Sequence, residues 1–193
     1  MFQLNRNAQI PLTLLLALLM LVTRGHHDFT PIHLPDASWA IFFLAGLYLR
    51  SRWVFGALFL LASALDYIAI TWGGVSSFCV TGAYVFLLPA YGALWFAGRS
   101  YIGRGSPSWQ DLMPLALHAL AGVLVCELIS SGGFYFFSGR FVDPTQAEFA
   151  GRLATYLPGN LRVVALYLSL AALVHGLFSL ARGKWGRAGA RIG

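Results

Sequence analysis

The sequence predicts an all-α integral membrane protein, one transmembrane domain over residues 1–193 built as a bundle of six spanning helices. Three observations predict it. First, 58% of the residues are hydrophobic and 10% are charged, whereas a soluble domain carries about 25% charge. Second, the apolar residues gather into six runs, most of them near the roughly 17–25 residues that a spanning helix needs. Third, lysine and arginine crowd the alternate connections, the bias that sets membrane orientation. The length suits one compact bundle. The net charge of +6 reads as loop charge beside a lipid bilayer and not as a nucleic-acid surface, so the bilayer is an expected partner and nucleic acid is not.

The runs justify the helices in order. The first covers about 8–23, with Pro11 tolerable in an opening turn. The second, about 37–50, is short and runs from near Trp39 to Arg50. The third, about 53–72, lies between Trp53 and Trp72, two indoles suited to the interface. The fourth covers about 79–97, and Pro89 predicts a kink in it. The fifth covers about 112–131, with Pro114 near its start, and the sixth about 160–181, ending in a basic tail. Between the last two, residues 132–159 read as a long outer connection. With the N-terminus inside, nine of the 13 Lys and Arg residues fall on inner segments and four (Arg24, Arg140, Arg152 and Arg162) on outer ones. Both termini are therefore expected in the cytoplasm.

The polar residues that interrupt this pattern fall on the outer side. The break Gly73-Gly74-Val75-Ser76-Ser77-Phe78-Cys79-Val80 separates two apolar runs and ends in a thiol at the mouth of the second. A free cysteine is often a small buried hydrophobe, but glycines beside this one allow a bulky ligand to approach the backbone. The 25–36 loop holds His26, His27, Asp28, His33 and Asp36, a polar cap or a ligand-holding lid stiffened by Pro31 and Pro35. Asp66 lies about two turns inside the third helix. A carboxylate in a span costs about 2.5–3.5 kcal/mol on insertion scales and signals function unless a neighbour such as Tyr67, Tyr84 or Tyr91 satisfies it. Glu127 makes the same case with less force, being nearer the outer end of its helix. Cys126, His118 and His175 read as packing residues. The 132–159 stretch mixes aromatic residues with Arg140 and Arg152, which suits a large flat ligand bearing amide or phosphate groups, or else a surface helix at the interface.

Three functions fit these residues. One is uptake of a large, flat, partly apolar ligand through a site open to the outside. A second is haem or transition-metal handling by His26, His27, His33 and Cys79. A third is a membrane enzyme using Asp66 and Tyr84 as an acid–base pair. No nucleophile elbow, P-loop or HExxH motif occurs.

The stretch from His26 to Ala40, then Asp66-Tyr67, then Gly73 to Val80 with Ala83-Tyr84-Val85-Phe86-Leu87-Leu88-Pro89, resembles the BtuM family of cobalamin transporters of Gram-negative bacteria, over most of the chain. That family is similar to the S-components of energy-coupling factor transporters. The resemblance implies a six-helix bundle in the inner membrane with a cobalamin pocket facing the periplasm. It implies Cys79 as the axial cobalt ligand, and His27, Asp66, Tyr84 and Arg152 as ligand-binding residues. A thiolate on cobalt is a strong electron donor and is expected to weaken the bond to a cyanide opposite, which makes Cys79 the candidate catalytic thiol for removing cyanide from cyanocobalamin. Cobalamin is then the bound substrate. The first helix lacks a clean Ala-xxx-Ala face between Ala8 and Ala17, so the sequence does not imply docking to an energy-coupling module.

Overall fold

The helices form where the apolar runs predict them at the N-terminal half and depart from them further on. A computed structural model describes residues 6–24, 34–49, 51–101 and 112–189, and every described regular element is helical. Helix α1 covers Arg6–Arg24, α2 Ser38–Tyr48, α3 Trp53–Thr71, α4 Leu87–Ser100, α5 Leu112–Phe137 and α6 Gln146–Gly189. Three of them are long and apolar enough to cross a membrane: α3, α5 and the Gln146–Phe178 part of α6. The apolar stretches in α1 and α2 are shorter.

Helix α2 is the hub. It packs against each of the other five helices, and Ser38 and the run Ala40–Leu47 are buried. With apolar side chains all round, it has no face that favours water, which is how a central helix reads. Its 11 residues rise only about 16 Å, about half the thickness of a bilayer core. Two glycines let it touch α4 backbone to backbone. A Cβ at Gly46 would land on the Trp95 carbonyl, and one at Gly98 on the Phe43 carbonyl. Phe42 stacks on Tyr91 at 4.5 Å, adding aromatic contact to the same seam.

The predicted fourth helix, 79–97, starts later than expected. Residues Ser77–Cys79 and Gly82–Phe86 form two short 3₁₀ turns, and the α-helix begins at Leu87. The Ser76 hydroxyl accepts the Phe78 N–H and the Thr81 hydroxyl accepts the Ala83 N–H, each at 3.2 Å. Such local bonds offer the backbone an alternative to helix. Pro89 consequently sits in the first turn of α4, where its missing N–H has no helical role, and not at a kink.

The expected outer connection 132–159 is mostly helix. Helix α5 continues to Phe137 and α6 starts at Gln146, so only 138–145 links them. Gly132 and Gly133, which look like a helix stop, are packing notches. A Cβ at Gly133 would enter the Phe86 ring, and one at Gly132 would meet Phe149 at 3.3 Å. Pro158 lies inside α6 and removes a hydrogen bond there without ending the helix. Asn160, in the next turn, donates to the Glu127 carboxylate at 2.7 Å and ties this stretch to α5.

Candidate functional site

The end of the bundle where α1 and α3 finish and α4 begins carries a buried polar network centred on Arg24. The Arg24 fork meets Asp66 squarely: Nε donates to Oδ1 and Nη2 to Oδ2, both at 2.7 Å. This is the bidentate geometry that makes arginine–carboxylate pairs strong and directional. Nη1 donates to the Ser38 hydroxyl at 2.8 Å and the Tyr91 hydroxyl at 2.9 Å, with the Asp36 carboxylate at 3.4 Å. One guanidinium thereby joins α1, the start of α2, α3 and α4. Its side chain is 9% exposed, against 25% for Asp66 and 47% for Asp36.

Tyr84, in the second 3₁₀ turn, donates its hydroxyl to Asp66 Oδ2 at 2.9 Å. The sequence-predicted residues Asp66 and Tyr84 are therefore in direct contact, and this is the satisfying neighbour that stood as the structural alternative to a functional Asp66. Asp66 accepts three hydrogen bonds, two of them on Oδ2, which leaves Oδ1 with acceptor capacity for a ligand donor. Tyr67, an alternative partner for Asp66 from sequence, instead sets its ring edge-on to Trp72 at 6.4 Å.

Cys79 ends the first 3₁₀ turn, five residues before Tyr84; its side chain lies outside the described residues. Phe78, beside it, reaches the end of α5, with its ring 5.7 Å from that of Phe134. Phe134 continues to Phe141 at 5.8 Å. The Arg152 guanidinium lies 4.5 Å from the Phe141 ring and 5.2 Å from the Tyr135 ring. The turn that carries Cys79 is thus linked to Arg152 through aromatic contacts, although the contacts of Arg152 itself go to Glu148, Tyr135 and Phe141 and not to Asp66. Glu148 takes both Arg152 Nη2 at 2.8 Å and the Tyr135 hydroxyl at 2.8 Å, which fixes the 138–145 link between α5 and α6.

Sequence reasoning missed Arg24, Ser38 and Tyr91 as one cluster with Asp66. It treated Arg24 as a loop charge. The available signal was pairing: a carboxylate within an apolar helix needs a cation, and Arg24 closes the neighbouring run on the same side. Glu127 is also deeper than expected, 1% exposed, because α5 extends beyond it to Phe137. Ser131 donates to it at 2.6 Å and Asn160 at 2.7 Å. His26, His27 and His33 lie outside the described residues. Among the described residues, no three His, Cys, Asp or Glu side chains gather as a metal site. A surface groove lined by Gln9, Ile10, Thr13, Leu14, Ser51 and Val54 lies at the opposite end, between the starts of α1 and α3, and carries no ionisable group.

Compared with protein-family models and with curated proteins, the chain gives no match.

Proposed function

We propose that this protein is a cobalamin-binding uptake protein of a bacterial inner membrane, of the kind its motifs resemble. The bundle lies in the bilayer with the short α2 enclosed by the other helices, and both termini face the cytoplasm. The Cys79 end opens to the periplasm. The observation that carries the reading is the broken backbone at Ser77–Phe86 next to the Arg24–Asp66–Tyr84 network. The two 3₁₀ turns replace the first turns of an α-helix and bring Tyr84 onto Asp66. Cys79 lies in this stretch, five residues before the Tyr84 that bonds Asp66.

In this reading His27, Asp66, Tyr84 and Arg152 hold the amide-fringed corrin, and the Cys79 sulfur takes one axial position on cobalt. Bonding to the metal favours the thiolate. The ligand's own base would leave the metal with its electron pair, and the Cys79 thiol would release its proton to water. The resulting thiolate would give its pair to Co(III) in the vacated position and weaken the bond to the group on the opposite face. When that group is cyanide, the cobalt–carbon bond breaks heterolytically. Cyanide leaves with the bonding pair and takes up a proton from water. Cobalt stays Co(III) through that exchange, and a thiol reductant then supplies one electron to give Co(II).

The test is cyanide release from cyanocobalamin by the detergent-purified protein with a thiol reductant present. Wild type is expected to release cyanide faster than cyanocobalamin does with reductant alone, and Cys79→Ala to fall to that background. Unchanged release in the variant would overturn the chemical step. No corrinoid retained, with bare divalent metal bound through His26 and His33, would replace cobalamin uptake by metal handling.

A further inference from the structure

Two arginines lie against aromatic rings at the α5–α6 end, and their charges are handled differently. Arg152 stacks on Tyr135 and Phe141, and Glu148 takes its Nε and Nη2 donors at 3.2 and 2.8 Å. Arg140, in the 138–145 link, lies 5.0 Å over the ring of Phe78, the residue next to Cys79. Among the described residues no carboxylate lies within ion-pair distance of Arg140. A guanidinium held over a ring by cation–π attraction keeps N–H donors that a ligand can use. Exposed Arg140 thus brings a cation that no described carboxylate neutralises to Phe78, the neighbour of the proposed axial ligand. A guanidinium fork matches the paired oxygens of a phosphate.

We infer that Arg140 recognises the phosphodiester of the nucleotide loop of the bound corrinoid, and so makes the site selective for complete cobalamins over corrinoids lacking that loop. The inference rests on the cobalamin reading above. The geometry fits the chemistry of that reading. A thiolate on cobalt requires the ligand's own base to have left the metal, and the released loop then swings free with its phosphate. A cation beside the Cys79 turn gives that phosphate a partner.

The experiment is equilibrium binding of cobalamin and of cobinamide, which lacks the nucleotide and its phosphate, to the full-length protein in detergent. Wild type, Arg140→Ala and Arg140→Gln are compared, the last keeping much of the side-chain stem. Both variants are expected to weaken cobalamin about tenfold, the scale of a charge-assisted hydrogen bond, and to leave cobinamide within about twofold. Equal weakening of both ligands, or of neither, overturns the inference and leaves the cobalamin reading intact. If Arg140 held the phosphate of a lipid headgroup, the preference for cobalamin over cobinamide would stay at its wild-type value, the same overturning result. Failure of wild type to bind either corrinoid would overturn both readings together.

Discussion

Asp66→Ala is expected to be the most destabilising single side-chain truncation at the polar end, at about 3–5 kcal/mol. The variant leaves the Arg24 guanidinium, 9% exposed, without the carboxylate that takes its Nε and Nη2 donors. It also strips the Tyr84 hydroxyl of its acceptor. The cost arises from the charge left behind more than from the bond lost, since desolvating two ions offsets most of their attraction. The double variant Arg24→Met with Asp66→Leu should therefore recover much of the stability. Thermal unfolding midpoints in detergent check this. A double variant no more stable than Asp66→Ala would show that an Arg24 left without its bidentate partner is not the cause.

Gly98→Leu is the second large effect, expected at about 3 kcal/mol or more. Cores absorb added volume by shifting side chains, but the obstacle here is the Phe43 carbonyl, which belongs to the backbone of a buried helix and cannot move independently. Helix α2 would be lifted from α4, and the buried seam from Phe42 to Leu47 would open. Gly56, in α3, serves as the control because nothing lies within 4 Å of a Cβ there. Gly56→Ala should be neutral or stabilise by up to about 1 kcal/mol through helix propensity. Size-exclusion profiles of the solubilised variants separate the two outcomes. A monodisperse, wild-type-like Gly98→Leu would contradict the close α2–α4 contact.

Hydropathy located α1, α2 and α3 within a few residues, because each is bounded by polar or aromatic residues that change the character of the run. It failed where a residue type carries two meanings. Gly132-Gly133 stops a helix in one context and admits a neighbouring ring in another, and only the position of Phe86 decides. Pro158 breaks many helices but is carried within α6. Ser76 and Thr81 fold the backbone into 3₁₀ turns by bonds that a hydropathy window does not register. In the site, the contact of Asp66 with Tyr84 was legible because both residues are anomalous for their depth. The link of Asp66 to Arg24 spans 42 residues and depends on how α1 and α3 lie side by side, which neither local sequence encodes. Arg152 was legible as an arginine among aromatics, while its pairing with Glu148 one helical turn away required α6 to begin at Gln146 and not near residue 160.

The central claim is that Cys79 bonds cobalt, and the most direct measurement is the visible absorption spectrum of the purified protein with cobalamin, beside that of Cys79→Ala. Wild type is expected to co-purify with a corrin band displaced from that of free cobalamin by the sulfur ligand, and the variant to lose the band or return it to the free position. A wild-type protein that stays colourless with cobalamin present throughout, or a spectrum identical in the two proteins, would contradict it.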